Sequence, residues 1–158
     1  MKRRYLLILV LAIMSCGNGS VRLSNYSVRI PGGWDSAKIS ETATISGVNV
    51  KMLRSFTDEE AVINASILEV KNDTGIDGLN GYFFAVSKAF PQSEAHLSQI
   101  SVNDIDVKSI RVTDGNYVIL KSVFYEKSRG FLQLDFIIPA DAFEKYSQLV
   151  TDIVNTIE

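Results

Sequence analysis

The stretch from Tyr117 to Ile138 limits the architecture more than any other part of the chain. Two apolar runs, Tyr117–Tyr125 and Phe131–Ile138, flank Lys127-Ser-Arg-Gly130. That segment is good tight-turn chemistry, so the runs are expected to form an antiparallel hairpin. Tyr117, Ile119, Val123 and Tyr125 alternate with Val118, Leu120 and Phe124. Because successive side chains point to opposite faces of a strand, both faces of this hairpin are apolar. Either other elements cover both faces or one face is an interaction surface. Such a hairpin belongs near the centre of its sheet.

Further segments carry the period-two alternation of half-buried strands. In Tyr26-Ser-Val-Arg-Ile30 the apolar residues Tyr26, Val28 and Ile30 share a face, and Pro31-Gly32-Gly33 stops the strand. Thr42–Phe56 reads as a strand pair broken at Ser46-Gly47, and Ala61–Val70 follows the charged turn Asp58-Glu59-Glu60. Strands are also expected around Ile100–Val102 and Ile105–Thr113, the latter joined to Tyr117 by Asp114-Gly115-Asn116.

Two helices can supply the cover. Asp77–Phe90 places Leu79, Phe83, Val86 and Phe90 on one face, with Asp77 as N-cap, Pro91 as stop, and Gly78 and Gly81 weakening the first turn. Asp141-Ala-Phe-Glu144 approximates a capping box, and Phe143, Tyr146, Leu149, Val150, Ile153, Val154 and Ile157 form a continuous apolar stripe behind it. Such a stripe must lie on the sheet. The expected fold class is α+β, a mostly antiparallel sheet sandwiched by helices in a single domain.

The opening Tyr26-Ser-Val-Arg-Ile-Pro-Gly-Gly-Trp34, and the closing hairpin that runs through Ile-Ile-Pro139 into a helix beginning Asp141-Ala-Phe, resemble the PsbP/Mog1-like (DcrB-like) superfamily. The resemblance spans about Val21 to Glu158. It implies a long strand hairpin feeding a helix that covers the sheet, and helices over both faces. Its motifs are structural, so it transfers no binding residue. It implies a role in binding other proteins, and bacterial members are commonly periplasmic lipoproteins.

The N-terminus points the same way. Lys2, Arg3 and Arg4 precede an apolar run from Tyr5 to Met14, then Ser15-Cys16. A basic segment, a short hydrophobic stretch and a small residue at the cut make a secretion signal. The run is half the roughly twenty residues a membrane-spanning helix needs. Ile13-Met14-Ser15-Cys16 resembles the bacterial lipobox, in which the cysteine is acylated and becomes the new N-terminus. The competing reading is an ordinary secretion signal with an incidental cysteine. Cys16 is the only cysteine, so no intramolecular disulfide competes for it. Several acyl chains, at about 0.8 kcal/mol per buried methylene, anchor stably where one does not. The expected organisation is a signal peptide at 1–15, a lipidated tether at 16–20 and one domain at 21–158. Gly17 leaves out the acidic residue that retains some lipoproteins at the inner membrane. This favours an outer membrane facing the periplasm, with the inner membrane and the cell surface still open.

Removing the signal takes three of the 16 basic residues and none of the 18 acidic ones, leaving a formal charge of −5. Nucleic-acid binding, which is driven by phosphate neutralisation, is not expected. No cofactor motif occurs, and no Gly-rich phosphate loop. His96 is the only histidine, so no metal site or Ser-His-Asp triad is expected. Asp73-Thr74-Gly75 matches the aspartic-protease tripeptide, and Asp73, Asp77 and Gly78 occupy three calcium-loop positions. Lys71 and Asn72 precede the tripeptide in place of an apolar strand, and Gly75 and Phe84 fail the third and twelfth places of a calcium loop. A turn into a helix is the plainer account. Asp104 and Asp106 share a strand face as solvated carboxylates or as an acid–base pair. Trp34 either plugs one end of the core or is an exposed partner-binding residue.

The expectation for function is a non-catalytic, membrane-anchored binding or accessory module. Its partners would be a bilayer through acylated Cys16 and an unknown protein or small ligand. The alternative is a hydrolase-like envelope enzyme built on Asp73, Asp104 or Asp106. A structural envelope protein without a specific ligand is the third reading.

Overall fold

The computed structural model describes residues 19–23, 25–72, 76–90, 93–102 and 104–158. The two runs at its centre are β9 (Tyr117–Glu126) and β10 (Gly130–Pro139), paired antiparallel along their whole length, from Gly130↔Glu126 to Pro139↔Tyr117. Gly130 adopts φ +81°, a left-handed conformation that glycine takes without a steric penalty, and it closes the turn.

Around this pair the chain adds β5 (Val48–Thr57), β6 (Asn64–Lys71), β8 (Ile105–Thr113) and β7 (Glu94–Val102). Two short strands, β3 (Asp35–Lys38) and β4 (Thr42–Ile45), both pair with the outer side of β5. The order across this eight-stranded sheet is β3-β5-β6-β10-β9-β8-β7, and every pairing is antiparallel. A separate hairpin, β1 (Gly19–Leu23) with β2 (Tyr26–Ile30), lies apart from the sheet.

Both faces of the sheet are covered over its central strands. On one face Phe124, Leu132, Leu134, Phe136 and Ile138 pack with Tyr26, Val28 and Ile30 of β2 and with Tyr146, Val150 and Ile153 of α2 (Phe143–Val154). Reciprocal backbone bonds between Ser27 and Glu158 fasten the hairpin to the chain just past α2. On the other face Ile119, Val123, Ile110 and Val112 pack with Leu79, Tyr82, Phe83 and Val86. These last residues belong to a 3-10 turn (Ile76–Leu79) running into α1 (Asn80–Lys88). The result is an α+β fold, an antiparallel sheet between helices in a single domain.

Several expectations are corrected. Gly19 and Ser20 are not tether but the first residues of β1. The strand expected from Ala61 starts at Asn64. Ala61 sits at φ 55°, and the Asp58 carboxylate accepts the N–H groups of Val62 and Ile63 at 2.7 Å, which holds this segment as a turn. Neither helix has the expected cap. α1 begins from the 3-10 turn with Leu79 at the cap position, as two nearby glycines allow. The cap position of α2 is Ala142, which makes no side-chain capping bond. The strand expected around Ile100–Val102 extends back to Glu94. The turn at Ser46-Gly47 forms as expected, with φ 48° and 81°, the two left-handed residues of a tight hairpin.

Adjacent phenylalanines test this packing. Phe83 is fully buried and Phe84 is 62% exposed. Phe83→Ala is expected to lower the unfolding free energy by about 3–5 kcal/mol. Phe84→Ala should stay within about 0.5 kcal/mol. Urea titrations of the two variants measure the difference, and comparable losses would contradict the described packing of α1.

Candidate functional site

Of the carboxylates singled out in the sequence, Asp104 and Asp106 form no enclosed pair. Asp104 occupies a turn at φ 64°, and Asp104 and Asp106 are both exposed. His96 is exposed on β7, with Nε2 3.8 Å from the Glu94 carboxylate. Cys16 and the Asp73-Thr74-Gly75 tripeptide lie outside the described residues. Among the described residues no three His, Cys, Asp or Glu side chains gather where they could hold a metal. Trp34 is half-buried and packs against the cluster that contains α2, so only part of its ring faces solvent.

A polar group that the sequence reading passed over lies on the α1 face. Gln133 and Asp135, two apart on β10, point to the same side of the sheet. The register sets Lys121 of β9 directly opposite Asp135. Lys121 Nζ donates to Asp135 Oδ2 at 2.5 Å, and Gln133 Nε2 donates to Asp135 Oδ1 at 2.6 Å. From α1, Tyr82 OH donates to Gln133 Oε1 at 2.9 Å. Gln133 is fully buried and Asp135 is 8% exposed. Burial pushes the Asp135 carboxyl above the usual carboxylate range, against the pull of the Lys121 charge and of the bonds from Lys121 and Gln133. Burial also pushes the Tyr82 phenol up to about 12, with the Asp135 charge adding to it.

These groups form one end of a cavity of about 250 Å³. Its walls are Ala43, Ile45, Val50, Met52 and Leu68, and Glu41 and Thr42 complete the lining. A larger cleft of about 500 Å³ opens beneath the β1–β2 hairpin, beside Arg22, Tyr26 and Arg129. There the Tyr26 hydroxyl ties the hairpin to the β9–β10 turn, donating to Gly130 O at 2.7 Å and accepting from Glu126 N at 3.0 Å.

The two edges of the sheet are built differently. One is made of β3 and β4, four residues each, interrupted at 39–41 opposite an irregularity in β5 between Met52 and Arg54. Short, broken strands are how a sheet edge is normally kept from pairing with other chains. The other edge is β7. It pairs with β8 over nine residues without a register shift, and with no described strand on its outer side. From Leu97 to Val102 it carries no charge and no proline. Leu97 is 60% and Ile100 54% exposed. They sit opposite Ile110 and Val107, which face the α1 and α2 sides respectively.

No protein-family model and no curated protein matches this sequence. Solved structures do match. The solution structure of cyanobacterial PsbP (CyanoP) from Synechocystis sp. PCC 6803 superimposes with a TM-score of 0.66 at 17% identity, over 93% of this chain and 95% of that one. The crystal structure of the Saccharomyces cerevisiae Ran-binding protein Mog1p gives 0.52 at 10% identity, over 91% and 96%. At these identities the likeness is one of fold, and the fold is PsbP/Mog1-like.

The buried pair makes a pH prediction. A carboxyl whose folded pKa is raised keeps its proton at a pH where the unfolded chain, near 3.9, has released it. Its stabilising contribution is full below that value and is lost as pH rises through the folded pKa. The stability of the wild type relative to Asp135→Asn is therefore expected to fall as pH is raised from about 3 toward neutrality. Urea titrations of both proteins across that range measure it, and a difference that is flat or rises with pH would sink the assignment.

Proposed function

We propose that this chain is an exported, lipid-anchored binding module that holds an extended segment of a partner protein along β7. The observation that carries the binding role is the contrast between the sheet edges, one short and broken, the other long, uncharged from Leu97 to Val102, and open among the described residues. An open strand offers main-chain N–H and C=O groups to a peptide laid beside it. Leu97 and Ile100, exposed on opposite faces, offer apolar contacts to the alternating side chains of that peptide. The partner segment is uncharged at its centre, matching Leu97 to Val102.

Support for the anchor comes from the sequence: Lys2-Arg3-Arg4, the apolar run to Met14, and Cys16 after Ile13-Met14-Ser15. β1 begins at Gly19, three residues beyond Cys16, a span of at most about 10 Å when extended. Lipidation would thus hold the folded body close to the bilayer, in the outer membrane facing the periplasm by the reading of Gly17. The Ran-binding role in the name of Mog1p shows that a protein of this fold binds a protein. It supports the class of activity and leaves the partner open.

Two measurements test the proposal. A clickable fatty acid should label the wild type and not Cys16→Ser; equal labelling, or none, removes the anchor. A photo-crosslinking residue placed in living cells at position 97 or 100 should capture a partner that the same residue at exposed position 84 does not. Of neighbours Ser98 and Gln99, one points its N–H outward. The proline substitution at that position should keep the melting temperature and lose the crosslink. Crosslinks that persist in both proline variants, or that match those at position 84, would overturn strand addition at β7.

A further inference from the structure

β7 is nine residues long, and its midpoint is Ser98. Turned end for end about Ser98, a second copy of the strand sets Val102 opposite Glu94, Ser101 opposite Ala95, Ile100 opposite His96 and Gln99 opposite Leu97. All nine residues then find partners, and no charge faces a like charge. An axis through Gln99 would bring Glu94 to Asp104, an acid to an acid, which is destabilising. An axis through Leu97 would carry Ser101 and Val102 past the end of the partner strand.

The faces match as well. Residues directly opposite in an antiparallel pair point to the same side of the sheet. Leu97 lies on the α1 side beyond Ile110, and Ile100 on the α2 side beyond Val107. About Ser98, the Leu97 side chains of the two copies become diagonal neighbours, within reach of each other, and each Ile100 lies opposite the partner's His96 ring. The tether selects antiparallel over parallel addition. Antiparallel copies are related by a two-fold axis normal to the sheet, which keeps the α2 sides of both on one side. β1, the strand nearest Cys16, packs on that side through Val21, so both anchors can enter one bilayer. Parallel addition would turn one copy over and send the anchors to opposite sides.

We propose that the strand β7 holds is β7 of a second copy of this chain, paired antiparallel about Ser98 so that one sheet runs through both. This rests on the docking role of β7 and names its partner.

Single cysteines in the full, lipidated chain test the register, with isolated membranes treated with a short bifunctional thiol crosslinker. Ser98→Cys, whose two copies would sit about 5 Å apart, should give a linked band of two chains. Glu94→Cys, whose copies would lie eight residues apart along the pair, about 26 Å, should link no more than the wild type. Cys16 is common to every variant, so any link through it appears equally in all. Glu94→Cys and Val102→Cys on differently tagged chains should link to each other. Ser98 and Glu94 are exposed, so both single variants should melt like the wild type. The proposal is overturned if Ser98→Cys links no better than the wild type, or if Glu94→Cys links to itself as readily. If it falls while a photo-crosslink at position 97 still captures another protein, the docking role of β7 stands with a different partner; loss of both removes the docking role too.

Discussion

The β9–β10 pair presents apolar side chains on both faces, and the rest of the chain is arranged by that demand. Phe124, Leu132, Leu134, Phe136 and Ile138 face one way, Ile119 and Val123 the other. Each large side chain contributes about 1.5–3 kcal/mol when withdrawn from water, so leaving either face wet would forfeit much of a domain's net stability. The two coverings are unequal. α2 brings twelve residues and shares its face with the β1–β2 hairpin; α1 brings nine, joined by the 3-10 turn that leads into it. The Ser27–Glu158 backbone bonds and the Tyr26 hydroxyl make the hairpin a fixed part of its layer.

Placing Lys121 and Asp135 on the face with the thinner cover has a physical cost. Withdrawing two charges from water is compensated only when geometry is good and the remaining polar atoms are bonded. Here Asp135 has a partner on each oxygen, and the Gln133 amide links it to Tyr82 on α1. A second polar tie, Lys108 Nζ to Asn80 Oδ1, joins α1 to β8. Apolar contacts hold α1 against the sheet without fixing its position along it. The two polar ties, to β10 and β8, supply directional contacts that do. The same pair that orients the helix thereby leaves charged, hydrogen-bonding groups at the margin of its footprint.

Much of the fold was legible because hydrophobic period is a local property. The stripe from Phe143 to Ile157, the turn at Ser46-Gly47 and the β9–β10 hairpin can each be read from a short window. β1 and β3 could not. They are short, and β3 is exposed along its whole length, so neither carries a strong inward-outward alternation. The helix caps were misread for a related reason: Asp77 and Asp141 have the right side chains, but the first turns are set by the packing of Leu79 and Phe143, not by a capping bond. The polar cavity was legible in part. Lys121 and Asp135 lie equally far from the turn that joins β9 and β10, so that turn already pairs them across the strands. Tyr82 could not be placed with them, because its approach depends on how a helix some fifty residues away in sequence lies on the sheet.

A single short helix cannot roof this sheet, and that shortfall accounts for both candidate sites. Seven strands along the path at about 4.8 Å spacing make a surface about 29 Å across. A nine-residue helix is about 14 Å long and about 10 Å wide. Centred over β10 to β8 by its two polar ties, α1 leaves uncovered ground on each side. Toward β4 and β5 the gap is the cavity, where Val50, Met52 and Leu68 stay apolar and the Lys121–Asp135 pair closes the inner end. Toward β7 the gap leaves Leu97 in solvent beyond the buried Ile110, to which it is paired. On the opposite face β2 and α2 cover Val107, while its partner Ile100 again lies beyond the cover. β7 thus projects past both layers. Its unbroken outer edge, uncharged from Leu97 to Val102, is the feature that isolation in water leaves unexplained, whereas a strand laid along it would pair the open backbone and cover Leu97 and Ile100 together.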